Sequence, residues 1–250
     1  MTYCVGLLLK EGMVCLSDTR TNAGLDNIST YRKMFHFEHP GERVITVMTA
    51  GSLSITQTTL ARLREAIDDP DATEDTSIML APTMLKVASI IGRMLCAVRL
   101  EIDEKLATMK QAATASMIVA GQRKGGAMRL FLIYPEGNFI EATEDTPFLQ
   151  IGEHKYGKPI LDRVVKPDTP LADAEKAVLL SMDSTLRSNL SVGMPLDLAV
   201  IRRDECAVSR QRRIEAGDPA FRAMSDAWSR ALRDGFTQIT LGTCGPDYCQ

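Results

Sequence analysis

The sequence predicts an α+β fold, a four-layer αββα sandwich in which two mainly antiparallel sheets stack face to face beneath helices on both outer surfaces. Three observations predict it. Strand signals come in clusters, helical signals come in consecutive pairs, and a β-prone apolar segment opens the chain where most chains fray unless tied down. Strands alternating singly with helices would imply a parallel sheet; clusters and pairs do not.

The segment Tyr3 to Leu9 reads as a strand, Glu11-Gly12 as a tight turn, and Met13 to Leu16 as the returning strand. A second pair is expected at Lys33 to Glu38 and Val44 to Thr49, joined by His39-Pro40-Gly41-Glu42. Ile55, Leu60, Leu63 and Ile67 then recur at helical spacing until Asp68-Asp69-Pro70-Asp71 stops the element. The stripe Leu85, Ile90, Ile91, Met94, Leu95, Val98 and Ile102 predicts a longer helix over Pro82 to Leu106, with these residues packed in a core.

Strand signals return at Ser116 to Gly121, Met128 to Tyr134, Asn138 to Thr143 and Pro147 to Gly152. Helices are expected at Lys155 to Val165 and Leu171 to Leu190, strands at Leu196 to Arg203 and Cys206 to Glu215, and a last helix over Pro219 to Phe236. With no linker, repeat or low-complexity stretch, residues 1–250 are expected to form a single domain, with 237–250 as a C-terminal tail.

Composition narrows the function classes. A chain of 250 residues that is 45% hydrophobic and 24% charged is an ordinary water-soluble globule. Its net charge of −3 offers no pull toward nucleic acid or anionic membrane. Apolar runs stay well short of the roughly 20 residues that span a bilayer, and the first ten residues lack the basic start and small-residue cleavage site of a secretory signal. A cytoplasmic location follows as the expectation. The six cysteines include no C-x-x-C pair and are expected to be reduced, packed thiols. The three histidines offer no zinc spacing, so neither a metal nor a cofactor is expected.

Thr2, Asp18 and Lys33 attract attention by chemistry. The hairpin returns Asp18 toward the start of the first strand, and a neighbouring strand carrying Lys33 would set an ammonium beside both. A threonine at a free N-terminus carries a hydroxyl and an α-amine, whose ordinary pKa near 7.7–8.0 suits it to act as base. Composition and spacing alone still favour a surface ion pair between Asp18 and Lys33 beside an unremarkable Thr2.

The stretches Thr2-Tyr3-Cys4-Val5-Gly6, Ser17-Asp18-Thr19-Arg20-Thr21, Arg32-Lys33-Met34 and Thr49-Ala50-Gly51-Ser52 resemble the β-subunits of the proteasome family. Gly152 to Pro159 and Ser188 to Gly193 look like segments of its bacterial branch, the ancestral β-subunits called Anbu. The likeness spans essentially the whole chain in order. It implies an N-terminal-nucleophile hydrolase: Thr2 as nucleophile after removal of Met1 alone, Asp18 anchoring Lys33, Gly51 presenting its N–H to the oxyanion, and Arg20 buttressing the site. It further implies Thr21, Thr49 and Leu53 as substrate-binding positions, peptide or protein as substrate, and self-association into a large homo-oligomer, a ring or an open helical ring.

Two departures bear on activity. Family β-subunits carry a serine where this chain has Gly152-Glu153, and D-x-x-S-G near the threonine where this chain has Ser188-Asn189-Leu190-Ser191-Val192-Gly193. Ser191 fits the serine position, with Asn189 or Ser188 in place of the aspartate. The resemblance therefore leaves three readings: a threonine peptidase, an amidase on a small amide or γ-glutamyl-type compound, and a weakly active assembly subunit.

Overall fold

The computed structural model describes residues 2–22, 28–106 and 113–239. The first sheet contains β1 (Tyr3–Leu8), β2 (Gly12–Asp18), β10 (Phe148–Gly152), β11 (Leu196–Arg202) and β12 (Arg210–Ile214), in the order β10-β1-β2-β11-β12. The second contains β5 (Met34–His39), β6 (Arg43–Gly51), β7 (Ala115–Arg123), β8 (Arg129–Ile133) and β9 (Phe139–Glu141), in sequence order. Every neighbouring pair in both sheets is antiparallel. A short hairpin of β3 (Arg20–Asn22) and β4 (Ile28–Thr30) stands apart from both.

Side-chain alternation builds the layers. On β1, Cys4 belongs to the core between the sheets, shared with Met48, Ile118, Leu130, Ile151 and Ala199. Gly6 faces the same way: a Cβ there would meet Leu130, Ile118 and Met48. Tyr3 points oppositely, its hydroxyl 2.6 Å from Ser181 on α4 (Leu171–Ser188). On the far side of the second sheet, Val47, Val119, Phe131 and Ile133 pack with Leu60 and Leu63 of α1 (Leu53–Asp68) and with Ile91, Leu95 and Val98 of α2 (Met84–Leu106). Helix, sheet, sheet, helix is the expected four-layer order.

The elements depart from expectation in four places. Lys33 lies in the connection directly before β5 and not inside the strand, its ammonium drawn to Asp18 and Arg20, although its carbonyl still accepts the Thr49 N–H in the β5–β6 register. The β3–β4 hairpin went unread, being three residues per strand. The helix expected over Lys155 to Val165 breaks at Gly157 into a 3-10 turn (His154–Tyr156) and α3 (Lys158–Val164). Pro159, having no N–H to give a preceding turn, begins a helix but does not continue one. The strand expected from Cys206 starts only at Arg210, since Asp204 and Cys206 adopt left-handed backbone (φ 67° and 48°) in a turn.

Residues through Ala216 form one compact unit, and those from Gly217 a second. In the second, Asp218 caps α5 (Pro219–Gln238) by accepting the Phe221 N–H at 2.9 Å, with Pro219 in the first turn. Of the tail, residues 240–250, including Cys244 and Cys249, lie outside the described residues. Cys4, Cys15 and Cys206 are buried free thiols, and Cys96 is half-buried. Burial pushes the Cys15 thiol up to about 12, so it packs as an apolar group. Among the described residues, no helix is long and apolar enough to cross a membrane.

Candidate active site

Thr2 stands at the head of β1, a central strand, and is 5% exposed. Its carbonyl accepts the Glu153 N–H at 2.7 Å, just beyond the end of β10. Between the two lies Gly152 at φ 81°, where a Cβ would sit 1.9 Å from the Thr2 carbonyl oxygen. Only glycine permits both that backbone and that approach. Gly152→Ala is expected to displace Thr2, with a stability cost on the order of 1–3 kcal/mol. Thermal unfolding beside the parent protein measures the cost.

The register pairs Cys4 with Ser17, so the end of β2 lies beside the start of β1. Asp18 is fully buried there, and three donors meet its carboxylate. The Tyr3 N–H reaches Oδ1 at 3.1 Å, Lys33 Nζ reaches Oδ1 at 2.8 Å, and the Gly193 N–H reaches Oδ2 at 3.2 Å. Lys33 Nζ also donates to the Arg20 carbonyl at 2.6 Å, and the Lys33 carbonyl accepts the Thr49 N–H at 2.9 Å. One lysine thus ties together the β2 end, the β3 start and the β6 end.

Burial pushes the Asp18 carboxyl up from the usual aspartate range. The Lys33 charge and hydrogen bond and the Tyr3 and Gly193 amides pull it back down. Three donors converging on two oxygens are arranged for the carboxylate, which orients Lys33.

The other expected positions divide. Thr21 adjoins the carbonyl that receives Lys33, and Thr49 adjoins the one that Lys33 supplies, so both flank the lysine; Leu53 is half-buried at the start of α1. Gly51 ends β6 at φ 107°, where a Cβ would lie 2.3 Å from the Thr114 carbonyl oxygen. It shares a depression with Gly152, the residue beneath Thr2. Asn189 accepts both the backbone N–H (3.0 Å) and the hydroxyl of Ser191 on its Oδ1, closing a local turn. Arg20 donates to the Leu190 carbonyl at 2.8 Å and fills the space that a Gly193 side chain would need. It braces the loop whose Gly193 amide reaches Asp18.

Three supports escaped the reading of the sequence. Gly193 serves through its backbone N–H, and Gly152 through the absence of a side chain. Tyr3 is the third: its hydroxyl lies 2.6 Å from Ser181 Oγ and accepts Gln150 Nε2 at 2.6 Å, cinching β1 between α4 and β10. Burial pushes the phenol up to about 12, so it stays neutral. A tyrosine directly after the candidate nucleophile was the only signal available.

A family model described as proteasome subunit matches residues 2–201. The chain belongs to the proteasome subunit family. Its fold is similar to several Anbu structures. An Anbu mutant from Hyphomicrobium sp. strain MC1 is 49% identical, with a TM-score of 0.90, covering 96% of this chain and 99% of that one. Anbu (ancestral beta-subunit) from Yersinia bercovieri is 44% identical, with a TM-score of 0.87 and coverage of 96% and 98%. The helical assembly of the Anbu complex from Pseudomonas aeruginosa is 42% identical, with a TM-score of 0.89 and coverage of 99% and 100%. No curated protein matches. The proteasome-type fold is of the N-terminal-nucleophile hydrolase kind, and here the start of β1 and the ends of β2 and β6 converge around Asp18 and Lys33.

Proposed function

We infer that this proteasome-family chain is a threonine-type peptidase whose nucleophile is the Thr2 hydroxyl, working with the α-amine of the same residue once the preceding methionine is removed. The observation that carries the reading is the buried Asp18 carboxylate, which gathers Lys33 and the Tyr3 amide immediately beside Thr2. A charged lysine there disfavours a second ammonium and lowers the pKa of the α-amine, leaving it free to take a proton.

In the proposed cycle, the hydroxyl proton passes to the α-amine while Oγ adds to the peptide carbonyl. The Gly51 N–H steadies the oxyanion, a contribution typically worth ~100–1,000-fold in rate. Collapse transfers the proton to the departing amine and leaves an ester on Thr2. Water, deprotonated by the same α-amine, then releases the acid and restores the hydroxyl. Arg20 and Ser191 with Asn189 act by holding the loop around Asp18.

Mass spectrometry of the N-terminus of active protein tests this reading: the expected chain starts at Thr2, and active protein that begins at Met1 would contradict it. The small, neutral Thr21 and Thr49 also accommodate a small amide as substrate, so a panel of peptides against small amides separates peptidase from amidase. Self-association belongs to the same proposal, supported by the likeness to the helically assembled Pseudomonas aeruginosa complex.

A further inference from the structure

The peptidase reading accounts for one flank of Thr2 and leaves the other without a role. Asp18, Lys33, Thr21 and Ser191 lie on the β2 and β11 side of β1. On the β10 side, two depressions of roughly 490 and 450 Å³ share Leu132, Tyr134, Gln150 and His154, and so form one groove. It begins at Gly51 and Gly152, beside the attacked bond, and runs past Tyr134 to Ile140 and Phe148.

The walls of the groove suit an extended chain. β10 is the edge of the first sheet. The Glu153 N–H and Pro147 carbonyl point at β1, so strand alternation turns the backbone groups of Phe148, Gln150 and Gly152 outward. His154 Nδ1 donates to the Gly152 carbonyl at 3.0 Å, while the outward groups of Phe148 and Gln150 lie along an edge that no strand among the described residues covers. An extended peptide can pair with such an edge.

The floor is the uncovered inner face of the second sheet. Leu132 packs in the core between the sheets, and Ile140 is its cross-strand partner on β9. Partners in register share a face, yet Ile140 is 45% exposed because the first sheet ends at β10. Charge is largely balanced: Lys158 is paired with Asp162 at 2.6 Å, leaving Asp145, His154 and the phenol Tyr134 as the other titratable side chains along the groove.

Resting on the peptidase reading, we propose that this groove binds the leaving-group half of the substrate as an extended, uncharged and largely apolar segment paired with the β10 edge. Its occupant is peptide, because the groove is continuous with the oxyanion position of Gly51. From Gly152 to Phe148 the edge spans about 13 Å, enough for roughly four residues.

The test uses internally quenched peptides with one fixed acyl half and leaving halves of four residues that are apolar, acidic or basic. A coumarin amide, which has no chain beyond the scissile bond, serves as reference. The apolar leaving half should show kcat/KM at least roughly tenfold above the charged ones. Ile140→Lys, at an exposed site, should raise cleavage of the acidic peptide relative to the apolar one by roughly fivefold or more. Equal rates for all three peptides, or an Ile140→Lys protein with unaltered preference, would overturn the groove assignment while leaving the peptidase reading intact. Altered assembly by Ile140→Lys without altered preference would overturn it in favour of a second copy of the chain on this face. Failure to cleave every peptide and the coumarin amide would overturn both readings.

Discussion

Thr2→Ala should lower peptide hydrolysis by about a million-fold, the scale on which loss of the nucleophile acts in a serine protease. It should also abolish covalent labelling by a threonine-directed inhibitor. The substitution removes a methyl and a hydroxyl from a residue held by its carbonyl to Glu153 N–H, so thermal stability should barely change. Thr2→Ser keeps the hydroxyl and the α-amine and should retain labelling. Inhibitor adducts located by peptide mapping are the decisive measurement, and labelling that survives in Thr2→Ala would place the nucleophile elsewhere.

Lys33→Met should destroy activity and weaken the fold together. It leaves the buried Asp18 carboxylate without its counter-charge, and breaking such a pair typically costs about 3–5 kcal/mol. The pH dependence identifies the cause. Asp18 already binds its proton more tightly in the folded chain than in the unfolded one, because burial raises it, and loss of Lys33 accentuates this. The folded variant then holds more protons than the unfolded chain above the ordinary aspartate pKa, so its stability falls as pH rises through that window. The deficit relative to the parent protein should therefore be smallest in acid and grow toward neutrality. Adding Asp18→Asn should recover much of the stability by removing the uncompensated charge, with no recovery of turnover. Denaturant titrations across pH measure the first effect, and peptide hydrolysis the second. A Lys33→Met protein as stable as its parent at neutral pH would show that the pair is unimportant to the fold.

The fold was legible because its cues are local. Period-two strands, period-3.6 helices, Gly-Pro punctuation and the N-terminal strand each act within a dozen residues. Where local cues conflict with distant contacts, the sequence was misleading. Lys33 has the neighbours of a strand residue and still bonds Thr49 in the β5–β6 register, but Asp18 and Arg20 draw on its ammonium, and it stays in the connection before β5. The helix past Lys155 breaks at Gly157, where a side chain would collide with Ser181 from α4.

The candidate site divides in the same way. Thr2, Asp18 and Lys33 were visible as candidates because hydroxyl and charge are properties of residue type, and because the family motif orders them along the chain. By itself the sequence determined the layer order and the family, and it nominated those three residues. The tertiary structure alone decided what the carboxylate holds, through the amides of Tyr3 and Gly193, and where Thr2 sits, through the bare Gly152. It alone uncovered the β10 edge beside Ile140. Backbone amides and empty space carry no side-chain signature, so only strands brought together from distant parts of the chain reveal them.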